Sequence, residues 1–311
     1  MPDTLPPTPK FAHPDITAKG ETRASVSWTG LKTLWLNTGT LCNIECRNCY
    51  IDSSPKNDRL AYLTLADVIP FLDEITAPAE IGITGGEPFM CPDILAILQA
   101  ALSRGHRLLV LTNAMRPMMR PRVQEGLLSL AAVHPGAMTI RVSLDSHDAA
   151  INDAERGQGA FAEACAGLEW LSAAGLPLAL AGRMALHESE AAAREGYRAL
   201  VSRLRLAIDA DDPKQLVLFP EMIARDDPPE ITTACWGILD KSPASIMCAS
   251  QRMVVRRRGA QGPRVLACTL LVDDPQFDLG ATLAEATAAP VKLNHPWCAS
   301  FCVLGGASCS A

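Results

Sequence analysis

The chain has 311 residues, a formal net charge of -6 at pH 7 and 48% hydrophobic residues. That length and apolar content supply a sizeable core, as one large α/β domain with an appendage or as two domains. The absence of a strongly basic half argues against a broad nucleic-acid footprint, leaving room only for a small RNA contact. No apolar run reaches the length of a membrane span, and the Pro-rich polar start lacks a signal peptide's order of charge then apolar core, so a cytoplasmic protein is expected.

Residues 1–30 read as an N-terminal arm or edge element. Beyond them strands and helices alternate. TLWLN (33–37), EIGIT (80–84), RLLVLT (107–112), MTIRVSL (138–144), PLALAGRMA (177–185) and QLVLF (215–219) have the composition of buried strands. Helical spacing of apolar residues falls over 65–75, 92–105, about 121–133, 159–175 and about 188–207. Such alternation implies a parallel sheet with right-handed crossovers. Six units make most of a (β/α)6 TIM-like barrel, or an open doubly wound sheet, which periodicity does not distinguish. From about 221 the alternation stops. The last stretch mixes short strand-like pieces, Gly-containing turns and cysteines, and is expected to form a small cysteine-rich C-terminal domain whose core needs a metal. The expected division is therefore 1–30, 31–220 and 221–311.

Eleven cysteines are many for a cytosolic chain. In a reducing compartment, clustered thiols point to metal or catalytic sites rather than disulfides. Cys42, Cys46 and Cys49 are spaced C-x3-C-x2-C directly after the first strand. A structural zinc site has four ligands, and no fourth cysteine lies within about 40 residues. Three thiolates suit an iron–sulfur cluster with one open iron, or a zinc site completed by a distant residue. Parallel α/β folds gather function at the carboxyl ends of their strands. There the sequence places TGGEPF (84–89), TNA (112–114), SLDS (143–146) and Arg183. Gly85 and Gly86 allow a close backbone approach, and Glu87 can accept from an ammonium group.

The three-cysteine loop after a first strand, with GGEP after the second, resembles the radical S-adenosylmethionine superfamily over about residues 31–220. The resemblance implies a radical-generating [4Fe-4S] cluster on Cys42, Cys46 and Cys49. Its open iron is chelated by S-adenosylmethionine, and reduction yields a 5'-deoxyadenosyl radical that abstracts a substrate hydrogen. It further implies contact of Gly85, Gly86, Glu87 and Pro88 with the methionine amino group, and ribose binding by Ser143 and Asp145. Asn113 is a candidate for cofactor or substrate, or a turn cap. Arg183 is a candidate for the methionine carboxylate, or a surface residue at a strand end. The chain departs from the family's frequent aromatic or His before the last cysteine: Asn48 stands there, with Tyr50 just after. Arg156, in ERGQGAF, lies in a stretch similar to family members acting on peptides or cofactor precursors. His147 and Asp148 read as loop residues.

Cys248 and Cys268 flank an expected hairpin, and Cys298, Cys302 and Cys309 follow. This resembles the twitch or SPASM modules of radical enzymes. Five cysteines fit the shorter twitch-like form with one auxiliary [4Fe-4S] cluster, its ligands being Cys248, Cys268, Cys298 and either Cys302 or Cys309. A zinc site on the same thiols is the alternative. Arg256, Arg257, Arg258 and Arg264 read as a solvated hairpin tip, or as a dock for an acidic partner such as a flavodoxin- or ferredoxin-like reductant. Thirty N-terminal residues are few for a leader-binding domain, which favours a small biosynthetic substrate over a ribosomal peptide or protein side chain. The competing class is a non-catalytic iron–sulfur carrier or scaffold. It has no need of the cofactor pocket that GGEP and the strand ends suggest.

Overall fold

The computed structural model describes residues 9–184, 188–219 and 227–305. Its strands are β1 (Ser25–Val26), β2 (Thr33–Asn37), β3 (Glu80–Thr84), β4 (Arg107–Thr112), β5 (Met138–Ser143), β6 (Leu178–Arg183), β7 (Leu216–Phe219), β8 (Gln251–Val255), β9 (Arg264–Leu266) and β10 (Val291–Lys292). Six helices lie between β2 and β7: α1 (Leu65–Asp73), α2 (Ile94–Ser103), α3 (Pro121–Val133), α4 (Ala149–Arg156), α5 (Ala160–Ala173) and α6 (Glu190–Arg203).

Strands β2 to β7 pair in parallel and in chain order. The order never reverses, so the sheet winds one way, as in a partial barrel, and the doubly wound alternative falls away. Both faces of these strands are largely covered, which is why they read as nearly continuous apolar runs. Leu34, Leu36, Ile81, Ile83, Val110, Ile140 and Val142 lie in one core with the inner faces of α1, α2, α3 and α5.

The structure adds two things to the sequence reading. First, the loop between β5 and α5 contains α4. Asp148 caps it, its Oδ1 accepting from Ala150 N at 2.8 Å and Ile151 N at 3.1 Å. Second, the segment expected as an arm is built into the C-terminal region. β1 pairs antiparallel with β10, and Ala24 and Val26 share a core with Cys248, Leu293 and Cys298. The buried Arg23 pairs with Glu230 and reaches the Ile16 carbonyl, so the arm is fixed by ion pair, ladder and packing.

The C-terminal hairpin extends the barrel sheet. β8 pairs in parallel with β2, on the edge opposite β3, and antiparallel with β9. Each of its arginines has an acidic partner. Arg256 holds both Asp67 oxygens at 2.6 and 2.7 Å. Arg257 and Arg264 share Asp278, and Arg258 pairs with Asp58. Through Arg256 and Arg258 the hairpin is tied to Asp67 and Asp58 of the barrel, while the tip itself keeps Arg258 exposed.

Asp67 has a second task. It closes the capping box at the start of α1, accepting from Thr64 N at 2.9 Å while Thr64 Oγ1 accepts from Asp67 N at 3.2 Å. Burial alone would raise its carboxyl, but hydrogen bonds from Arg256 and Thr64 hold it below the ordinary carboxylate value. A group with a lowered folded pKa contributes stability above its unfolded value and loses it as pH falls through the folded one. Asp67→Asn should therefore cost about 1 kcal/mol at neutral pH. The gap to the parent should narrow as the pH falls through the lowered pKa of Asp67. Urea midpoints across that range check both.

Candidate active site

The loop after β2 holds the three cysteines and is gripped from three sides. On one side lies the turn after β3. Gly86 N donates to Gly39 O at 2.8 Å, and Glu87 N to Leu41 O at 3.2 Å. A Cβ on Gly86 would stand 2.2 Å from Leu41 O, and one on Gly85 2.7 Å from Gly39 O; Gly85 also has φ +135°. The two glycines thus permit contact between loop backbones, with a left-handed φ at the first. On the second side is the hairpin: Ala61 N donates to Arg256 O at 2.7 Å and Arg258 N to Arg59 O at 2.8 Å. The third is α4 with the end of β6. Arg47 N donates to Glu155 O at 2.8 Å, Asn48 Nδ2 to Glu155 Oε2 at 2.8 Å, and Arg183 Nη2 to Asn48 O at 2.8 Å. Asn48, the departure from the family pattern, is one of the residues by which the loop is braced.

One cavity opens at the carboxyl ends of the strands. Cys42, Cys46 and Cys49 line it together with Gly85, Gly86 and Asn113. Ser143 and Asp145 after β5, Arg156 at the end of α4 and Arg183 at the end of β6 complete its polar wall. Phe219, Leu270 and Phe301 give it an apolar side, the last two from the C-terminal region.

Asp145 is the electrostatic hub. It is buried, and Arg156 meets both its oxygens, Nη2 to Oδ1 and Nε to Oδ2, each at 3.0 Å. Arg183 Nε lies 3.2 Å from Oδ1. One carboxylate facing two guanidiniums leaves this wall with an excess of positive charge. Arg183 Nη1 is buried without a protein partner, a donor suited to an anionic group in the cavity.

Glu87 and Pro88 do not line the cavity. Glu87 is 1% exposed, and both its oxygens are occupied. Oε1 accepts from Phe89 N at 3.1 Å and Thr112 Oγ1 at 2.9 Å; Oε2 accepts from Asn113 N at 2.9 Å. Burial pushes its carboxyl up to about 7 against the pull of these bonds. The expected contact between the Glu87 carboxylate and an ammonium group is thereby replaced by a structural duty: pinning the turn after β3 to the end of β4. Asn113 is likewise engaged, its Oδ1 accepting from Met115 N at 3.0 Å and its Nδ2 donating to Asn43 Oδ1 at 2.9 Å. His147 Nε2 lies 3.1 Å from Glu188 Oε1, behind the wall rather than on it.

Sequence reasoning missed Arg141, buried on β5 and lining the cavity. A lone charge inside MTIRVSL was its available signal. It also left the role of Arg156 open, because α4 went unrecognised. Leu270 and Phe301 had no sequence signal, since only the return of the chain brings them to this rim.

The thiols fit an iron–sulfur cluster better than a single ion. Three soft donors share one wall, yet among the described residues no three His, Cys, Asp or Glu side chains converge to hold one metal ion. Burial pushes the Cys42 thiol up to about 12 and also raises Cys46. Metal binding there must displace protons and hold the sulfurs as thiolates.

In Glu87→Gln, the amide nitrogen faces a backbone N–H whichever way it turns. A loss of about 1–3 kcal/mol is expected, measured by urea denaturation, with iron binding weakened because the turn that supports the cysteine loop loosens.

A family model described as the Radical SAM superfamily matches residues 36–195. Mycofactocin maturase MftC of Mycobacterium ulcerans is 34% identical over 136 residues, 43% of this chain and 34% of that protein. The antilisterial bacteriocin subtilosin biosynthesis protein AlbA of Bacillus subtilis is 30% identical over 138 residues, 43% of this chain and 29% of that protein. The matched segment thus spans about a third of these relatives' own lengths. Among solved structures, Streptococcus suis SuiB bound to S-adenosylmethionine superposes with a TM-score of 0.58 at 13% identity, covering 81% of this chain and 63% of that one. The likeness in fold and the matched family model lead to one conclusion: the chain belongs to the radical SAM superfamily of enzymes.

Proposed function

We propose that this enzyme uses Cys42, Cys46 and Cys49 to hold a [4Fe-4S] cluster beside S-adenosylmethionine, and acts on a peptide or protein side chain as a radical maturase. Bound together, the two cofactors supply hydrogen-atom abstraction by a 5'-deoxyadenosyl radical. The observation that carries the reading is the shared cavity wall: three thiols face Ser143, Asp145 and Arg183 across one space. Arg183 would meet the methionine carboxylate with its unpartnered Nη1. The turn at Gly85 and Gly86 would face the amino group, and Ser143 the ribose. Asp145, expected at the ribose, is engaged with two arginines and would set the position of Arg183 instead. The peptide reading is supported by the names of the relatives, a mycofactocin maturase and a bacteriocin biosynthesis protein. A small biosynthetic substrate is the second reading, favoured by an AdoMet-dependent heme synthase of Methanosarcina barkeri, 31% identical over 142 residues.

The same proposal includes a twitch-like unit over 221–311, joined by the N-terminal arm, with the barrel over 31–220. Cys248, Cys268, Cys298 and Cys302 line a second cavity, and Leu270 lines both. Four thiolates there would fully ligate one auxiliary [4Fe-4S] cluster, with no open iron, so it would relay electrons rather than bind substrate. Cys309 lies outside the described residues. A flavodoxin- or ferredoxin-like protein would supply the electron. No helix among the described residues is long and apolar enough to cross a membrane.

Reconstituted anaerobically with iron and sulfide, then given dithionite and S-adenosylmethionine, the protein should release 5'-deoxyadenosine, detected by mass spectrometry. The Cys42→Ala/Cys46→Ala/Cys49→Ala chain should release none. No product from a fully iron-loaded parent, with cell extract present as a source of substrate, would sink the proposal. The triple variant should still bind about four irons, against about eight in the parent. An iron-free triple variant would remove the auxiliary cluster from the scheme while leaving the radical chemistry standing.

A further inference from the structure

Arg252 is the largest charged side chain that is fully buried among the described residues, at 1% exposure. It sits on β8 and bonds to Cys248, a residue that lines the second cavity. Its guanidinium is held by backbone carbonyls: Nε donates to Ala286 O at 2.9 Å, and Nη1 to Cys248 O and Gln251 O at 2.7 Å each. The Trp28 ring stacks over it, 4.3 Å from centroid to Cζ. Nη2 is buried with no partner.

Two other arginines of the interior have an acid. Arg23 has Glu230, and Arg156 has Asp145. Arg252 has none among the described residues. What it does touch is Cys248, whose backbone carbonyl accepts from Nη1. A guanidinium stays protonated at neutral pH, so the charge persists. An unpaired buried cation is costly and calls for a counter-charge.

We propose that Arg252 is an electrostatic tuning residue for an auxiliary [4Fe-4S] cluster on Cys248, Cys268, Cys298 and Cys302, and that its buried charge favours the reduced cluster. The inference rests on the auxiliary-cluster reading above. A cluster with a 2+ core and four thiolates carries a net charge of about -2, and one added electron makes it about -3. No bond forms or breaks. A fixed cation in low dielectric stabilises the more negative state more strongly and raises the reduction potential. The bond to Cys248 O anchors the charge at the backbone of one ligand. Cys248 and Cys298 are both 8% exposed, so little water intervenes to screen it. A relay that is fully ligated needs such a charge to accept an electron readily.

The test is an anaerobic redox titration followed by electron paramagnetic resonance, with dithionite as the electron source. It uses the Cys42→Ala/Cys46→Ala/Cys49→Ala background, which leaves the auxiliary cluster alone. Arg252→Met should lower the ratio of reduced to oxidised cluster at fixed potential at least tenfold, about 59 mV for one electron. Arg252→Lys, which keeps the charge, should stay within threefold of the parent. Equal midpoints for Met and the parent would overturn the proposal. So would equal shifts for Met and Lys, which would make the role one of packing. If Met loses iron, Arg252→Gln is read by the same criteria; loss of iron in both, with a normal circular dichroism spectrum, also overturns it. An iron-free background protein would instead mark failure of the auxiliary-cluster reading itself.

Discussion

The site depends on a backbone seam between two loops, the one after β2 and the one after β3. Two amide-to-carbonyl bonds close it, Gly86 to Gly39 and Glu87 to Leu41. There is no room in it for a Cβ at Gly85 or Gly86. Behind it, Glu87 ties the second loop to the end of β4 through Thr112 and Asn113. The cysteine spacing decides which atoms are thiols. The seam decides where they stand relative to the other strand ends. A buried carboxylate on three donors makes that placement stiff, because each bond is strong in the interior and costly to leave unmade.

A second layer of the design is ionic. Asp145 gathers Arg156 and Arg183, and Arg183 reaches the cysteine loop through Asn48 O. Asp67 and Asp278 gather the arginines of the hairpin. In both places carboxylates orient guanidiniums that come from different elements. The first set leaves one donor over, aimed at the cavity wall. The second set leaves the hairpin fixed.

The strands of the barrel were legible in the sequence because they are covered on both faces, which produces unmistakable apolar runs such as RLLVLT, whereas the one-way winding that separates a barrel from a doubly wound sheet was not. The cysteine loop and GGEP were legible because their spacing is set by local geometry. Helix α4 was not, since AAINDAER is half polar and its one fully buried side chain is Asn152. Without it, the place of Arg156 beside Asp145 could not be seen. The partners of Arg256, Arg257, Arg258 and Arg252 were equally hidden. Each is fixed by contacts that long-range chain return creates, and no local pattern encodes them. Glu87 misled for a simpler reason: a motif names a residue but does not say which way its side chain turns.

Strand β2 carries the cysteine loop and has β3 on one edge and β8 on the other. β3 follows β2 closely in the chain, whereas β8 begins only at Gln251. During synthesis, at roughly 5–20 residues per second, β2 keeps one open edge for about 10–40 s. Over that interval the three thiols lack the hairpin that later closes beside them at Ala61 and Arg258. The order of translation therefore sets a period in which the loop is reachable by an iron donor from a side that the finished protein shuts, and in which the exposed strand edge is most open to wrong pairing.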